Sequence, residues 1–295
     1  PQGEVRGSAL ICPPIGYENV CAHQALRQLG AQLSDQGVVA MRIDYDGTGN
    51  SIGDEHDASR VPSWTQSVRD ALDELANLGC ERPVVIGLRL GAALASSCLD
   101  ADSDVSGLVL WDPVVNGRRY ARTLSLLGAS AASAASDPAD VLIGGIRFTT
   151  ETIGCIGKLR LEVDQLPSTG LLIERGELPP SEHDLPSTWA RRQISGTSAM
   201  LDTEAELSTV PRDIILSIVD WTVANAQPQN DPSAPELVSG CVERYEDHVV
   251  EHCATRFGSS DLFAVESRLE GTQPTTAVLL LNNGVAASVG PGRAW

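Results

Sequence analysis

Val84-Val85-Ile86-Gly87-Leu88-Arg89-Leu90-Gly91-Ala92-Ala93 is the stretch on which the fold turns. A short, unbroken apolar run at Pro83–Gly87 reads as a strand buried on both faces, the pattern of a central parallel sheet rather than a half-solvated one. The small residues that follow read as a helix over Gly91–Leu99. Between them stands G-x-R-x-G, two glycines bracketing a charged residue on the turn.

The same rhythm continues outward from this unit. From Ser8 to about Ala226 an apolar run ending in Gly, Asp or Pro is followed by a helix-period segment, which predicts parallel strands covered by helices. Strands are expected at Ser8–Cys12, Val38–Tyr45, Pro83–Gly87, Gly107–Trp111, Gly170–Glu174 and Ile194–Leu201. Helices are expected at Ala22–Gln36, Trp64–Leu78, Gly91–Leu99, Asn116–Leu127, Thr149–Lys158 and Arg212–Asn225. In the second of these, Trp64, Val68, Ala71, Leu72, Leu75 and Leu78 recur at helical spacing, and Gly79 ends the run. The fold class is thus α/β, a mostly parallel sheet with helices on both faces, plus a short β-rich C-terminal segment.

Two stretches interrupt the rhythm. Gly128–Pro138, low in complexity, reads as a mobile connection or lid, and residues 227–239 read as a linker. After the linker, Cys241–His252 and Asp261–Glu266 read as antiparallel strands, with Ala277–Leu281 as a buried one. Both ends read as interior to a longer chain: the first residue is Pro1, and the last lie just beyond Pro291, where a helix is due to begin.

Composition narrows the partners. Over 295 residues, 21 basic residues stand against 39 acidic ones, a net charge of −18, with 42% hydrophobic residues. That balance supplies a real core and disfavours nucleic acid and anionic membrane as partners. No apolar run approaches the roughly 18 residues of a membrane span, and no signal peptide opens the chain, so the expected compartment is the cytoplasm. Seven scattered cysteines without a C-x-x-C pair indicate neither a disulfide framework nor a zinc site. No metal or nucleotide signature is present, and no cofactor is expected.

Three further segments bear on chemistry. Leu10-Ile11-Cys12-Pro13-Pro14-Ile15-Gly16-Tyr17 is a strand opening into a loop, and Arg42-Ile43-Asp44-Tyr45-Asp46-Gly47-Thr48-Gly49-Asn50-Ser51 ends a strand in a Gly-rich turn. Leu110-Trp111-Asp112-Pro113-Val114-Val115-Asn116-Gly117 ends another in an acid. Taken in order, these segments and G-L-R-L-G-A resemble the α/β-hydrolase superfamily. Nearest are the hydrolase-like proteins of exosortase gene clusters, beside the serine aminopeptidase-type hydrolases. The resemblance covers about Ser8 to Ala226. It implies an elbow of the G-x-S-x-G kind at residues 87–91, an oxyanion loop at Pro14, Ile15 and Gly16, and bacterial envelope-polymer biosynthesis as context. Val289–Arg293 after Ala277–Gly284 resembles the start of a second copy, whose leading strands either stand before it or pair onto the first sheet.

A triad in this fold needs a nucleophile, an acid and a histidine, in that chain order. The elbow position holds Arg89, which stays protonated and cannot attack a carbonyl. Asp112, Glu174 and Glu177 are candidate acids. The resemblance places the histidine near Met200–Leu207, where there is none; His183 is the one histidine between the final strands. Two readings of Arg89 stand open. In one it forms an anion site with Leu90, Arg118, Arg119 and Arg122; in the other it pairs internally with Asp46 or Asp112 and closes the former active site. Asp44 and Asp46 suit turn hydrogen bonding better than acid–base work, and Cys12 and Ser51 are candidate stray nucleophiles. The functional expectation is a protein acting on acyl ester, thioester or amide bonds through a degenerate domain, any chemistry coming from a second copy or a partner domain. The alternative is a non-catalytic binding or scaffolding domain for a small acyl or anionic ligand, a hydrolase partner or a second copy of itself.

Overall fold

In the computed structural model the described residues are 5–129, 140–229, 232 and 240–273, apart from 50, 52, 55, 56, 59, 163, 164, 181–184, 245–248 and 258–261. Six parallel strands form the main sheet: β1 (Gly7–Cys12), β2 (Val38–Arg42), β3 (Val84–Leu88), β4 (Gly107–Trp111), β7 (Gly170–Arg175) and β8 (Ala190–Ile194). Their order is β2-β1-β3-β4-β7-β8. The register sets Ala9 beside both Ala40 and Val84, Ile86 beside Val109, and Val109 beside Leu171. The chain steps from β1 to β2 and then returns to the other side of β1, so the strand order reverses between β1 and β3. In open α/β sheets the ligand crevice lies outside the carboxyl ends of the strands at such a switch point.

Side-chain alternation divides the sheet's apolar residues between two layers. Leu10, Val85, Leu108, Leu110 and Leu172 join the layer under α2 (Arg60–Asn77), α3 (Leu90–Cys98), α4 (Gly117–Ala129) and α5 (Thr150–Ile156). Ala9, Ile11, Val84, Ile86, Val109, Trp111, Leu171 and Ile173 join the other, under α1 (Tyr17–Asp35), α6 (Thr197–Leu201) and α7 (Arg212–Asn225). Each fully buried Leu, Ile or Val on these faces stabilises the fold by roughly 1.5–3 kcal/mol of transfer free energy. Three of the buried indoles donate their N–H groups: Trp64 to the Asp46 carbonyl at 3.2 Å, Trp111 to Thr197 Oγ1 at 3.0 Å and Trp189 to the Pro167 carbonyl at 2.8 Å.

Several expected elements move. The strand expected at Ile194–Leu201 ends at Ile194; Gly196, at φ 124°, turns the chain into α6. The strand itself, Ala190-Arg191-Arg192-Gln193-Ile194, lies earlier because it is the sheet edge, where alternate polar side chains face solvent. A small hairpin, β5 (Val141–Ile143) with β6 (Ile146–Phe148), carries too little pattern to be read from sequence. The segment expected as one strand from Cys241 holds β9 (Gly240–Arg244) and part of β10 (Val249–Phe257). With β11 (Leu262–Leu269) these form a separate antiparallel sheet, β11-β10-β9, which among the described residues is not hydrogen-bonded to the main one. Gly128 lies in the last turn of α4, while residues 130–139, most of the linker and Ala277–Leu281 with the rest of the proposed second copy lie outside the described residues.

Candidate functional site

β3 runs into α3 through a turn one residue wide. Arg89 occupies it at φ 54°, a left-handed conformation that costs a non-glycine residue free energy. Neighbouring strands hold it there: its N–H donates to the Trp111 carbonyl at 3.0 Å, and its carbonyl accepts from Val114 N–H at 3.1 Å. The flanking glycines are required by close approach. A Cβ on Gly87 would run into Ala92 Cα, and one on Gly91 into the Cys12 and Pro13 carbonyl oxygens. The G-x-R-x-G frame thus brings strand, helix and the loop after β1 into backbone contact.

The Arg89 side chain turns into a network of charges. Nε donates to Glu18 Oε1 at 3.1 Å, and Nη1 to the Asp112 carbonyl at 3.1 Å and its Oδ2 at 3.3 Å. The guanidinium lies over the Tyr120 ring, 5.5 Å from its centroid, and the Tyr120 hydroxyl donates to Glu18 Oε2 at 3.0 Å. Burial works against the Arg89 charge, but Glu18 and then Asp112 outweigh it, and the net effect raises the guanidinium pKa. Burial, and then Glu18, push the Tyr120 hydroxyl well above its usual range, so it stays a neutral donor.

Asp112 closes the other side. It too is held at positive φ, 43°, with its N–H donating to the Ile173 carbonyl at 2.8 Å. Its Oδ2 accepts from Arg175 Nε at 2.5 Å as well as from Arg89. Arg175 in turn pairs with Asp202 and donates to Ser198 Oγ at 3.2 Å. Arg175 ends β7 and Asp202 caps the C-terminus of α6, which follows β8, so their pair lies beyond the carboxyl ends of these two strands.

A cleft of about 770 Å³ opens beside the network. Its polar lining is Arg89, Asp112, Asn116, Arg119, Tyr120, Thr123, Arg160, Glu174 and Arg175, and Val114, Leu161, Leu172, Leu178 and Leu185 supply apolar walls. Arg89, Arg119, Asp112 and Glu174 of the sequence-derived candidates meet here. Glu174 is buried and pairs with Arg191 at 3.3 Å, while Glu177 Oε1 accepts the Gly196 N–H at 2.6 Å. Pro14, Ile15 and Leu90 are buried and Gly16 packs on Phe148, all outside the cleft lining, as are the exposed Arg118 and Arg122.

The pairing of Arg89 with Asp112 appears as expected, whereas the one with Asp46 does not. Asp46 belongs to the turn after β2, its N–H donating to Ser67 Oγ at 3.1 Å. In the same turn Ser51 Oγ donates to the Asp44 carbonyl at 2.6 Å and Thr48 Oγ1 to the Tyr45 carbonyl at 2.8 Å. Cys12 is fully buried, and burial raises its thiol pKa, which disfavours the thiolate a nucleophile needs. His183 lies outside the described residues. Sequence reasoning missed Glu18, Tyr120, Arg160, Arg175 and Asp202. Glu18 lies 71 positions from Arg89, and only the folding of α1 beside the elbow brings them together.

A parallel sheet with helices on both faces, an order reversal beside β3 and a strained strand–turn–helix elbow at that point define an α/β-hydrolase fold. The family model described as Serine aminopeptidase, S33, matches residues 21–141. Among solved structures it is similar to Est1E from Butyrivibrio proteoclasticus with ferulic acid bound, at 16% identity and a TM-score of 0.57, over 76% of this chain and 91% of that one. An esterase from Exiguobacterium antarcticum aligns at 14% identity and a TM-score of 0.52, over 75% and 93% of the two chains. A tomato methylketone synthase I variant complexed with β-ketoheptanoate aligns at 12% identity and a TM-score of 0.50, over 76% and 98%. A sequence search of curated proteins gives no match. Among the described residues no helix is long and apolar enough to cross a membrane, and no group of three or more His, Cys, Asp or Glu side chains is placed to hold a metal ion.

Proposed function

We propose that this domain binds a small acyl compound on an α/β-hydrolase frame without hydrolysing it. The observation that carries the reading is Arg89: the elbow position holds a permanent cation, tied to Glu18 and Asp112 and unable to act as nucleophile or base. Support for the acyl class comes from the fold's neighbours, since ferulic acid and β-ketoheptanoate are both acyl compounds. The test is intact mass after incubation with a fluorophosphonate, which reports an activated serine without knowledge of the substrate. The expected result is an unmodified mass on a chain whose circular dichroism shows it folded.

The match to a hydrolase family and the intact elbow frame favour a second reading, in which the chain acts on acyl ester, thioester or amide bonds through a nucleophile other than residue 89. A fluorophosphonate adduct, mapped to its residue, would establish that reading and overturn the first.

A further inference from the structure

The charges lining the cleft are not equally matched. Arg89 and Arg175 share Asp112, with Glu18 and Asp202 as further acid partners, and Glu174 is held by Arg191. Arg119 and Arg160 differ. The Arg119 side chain has no hydrogen-bond or ion-pair partner among the described residues, and it is exposed on the cleft wall. Among the described residues Arg160 reaches only neutral acceptors, its Nη1 donating to the Gly157 and Leu159 carbonyls at 2.9 and 2.6 Å.

Local structure brings the two together. Asn116 forms an isolated antiparallel bridge with Arg160, and its Oδ1 accepts the Arg119 N–H at 3.1 Å. Both arginines therefore flank one residue on one wall of the cleft. Among the described residues of the lining, four arginines stand against two acids, in a chain of net charge −18. A locally positive, partly apolar cleft on a strongly acidic protein repels cations and concentrates small anions. A guanidinium with free N–H groups recognises a carboxylate with directional, charge-assisted hydrogen bonds. Leu161, Leu172, Leu178 and Leu185 offer the rest of such a ligand an apolar surface.

We infer that Arg119 and Arg160 form the head-group site for an acyl carboxylate, a chain of several carbons ending in an anion, with the leucines holding its tail. This deepens the proposed acyl-binding function and moves the anion contact from Arg89, already neutralised, to the two arginines beside Asn116. Resting on that proposal for the class of ligand, it has its own failure point.

The experiment is calorimetric titration of the full chain with octanoate, octanol and inorganic phosphate. Octanoate is expected to bind at least tenfold more tightly than either of the others, because octanol lacks the charge and phosphate lacks the tail. Arg119→Gln is expected to weaken octanoate about tenfold, and Arg160→Lys less than Arg160→Gln, with circular dichroism unchanged. The inference is overturned by octanol binding as well as octanoate, by phosphate binding more tightly than octanoate, by variants that bind like the wild type, or by no octanoate binding at all. None of those outcomes touches the absence of hydrolysis, whereas a fluorophosphonate adduct would overturn the non-hydrolytic reading and leave this head-group site standing.

Discussion

Arg89 combines a left-handed backbone with a guanidinium drawn into the protein, its side chain 17% exposed. Removing one partner of a largely buried ion pair leaves the other uncompensated, typically at 3–5 kcal/mol. Arg89→Ala is therefore expected to lower unfolding free energy by about 3 kcal/mol, since it strands Glu18 against Asp112, and urea denaturation checks this. Arg89→Ser restores a G-x-S-x-G sequence, yet on the proposed non-hydrolytic reading turnover of p-nitrophenyl acetate is expected to stay at the wild-type level, with Asp112 beside it still paired with Arg175. Asp112 allows a finer comparison. Asp112→Gly and Asp112→Ala lose the same ion pairs, but only glycine adopts φ 43° without strain, so the glycine variant is expected to be the more stable by about 1 kcal/mol.

At the scale of elements, the elbow depends on β3 and α3 approaching the loop after β1 closer than any side chain permits. Gly91→Ala is expected to destabilise by about 3 kcal/mol or more, because the added methyl meets the Cys12 and Pro13 carbonyls, which belong to a fully buried strand end and cannot shift cheaply. Gly154→Ala, where nothing lies within 4 Å, is the matched control and is expected to change the melting temperature little. Strand–helix alternation was legible in the sequence because central parallel strands are apolar on both faces and their helices carry a 3.6-residue period. Gly107–Trp111 and Arg212–Asn225 fall where the pattern puts them. The β8 edge strand and the β5–β6 hairpin were not legible, because an edge half-facing water and a three-residue strand lack that contrast.

Over the whole molecule, burial holds Cys12, Tyr45 and Tyr120 in their neutral forms and raises all three pKa values. For such groups the stability is fully present below the unfolded pKa values, about 8.5 for Cys and 10 for Tyr, and is lost as pH rises beyond them because the unfolded chain releases its protons first. Urea midpoints are expected to be flat from pH 7 to 8 and to fall from about pH 9 upward, with a shallower fall in Tyr45→Phe; a midpoint that rises with pH in that window would refute the assignment. The α/β class, the elbow frame and the arginine at its centre could be read from the chain alone, because these are local: two glycines around a tight turn, an apolar run before it, and a charged residue between them. Only the packing of the chain shows what the Arg89 side chain pairs with. Glu18, Asp112, Arg175 and Asp202 come from four separate parts of the chain, and whether a charge is answered or left facing a cleft depends on distances that no spacing in the sequence encodes.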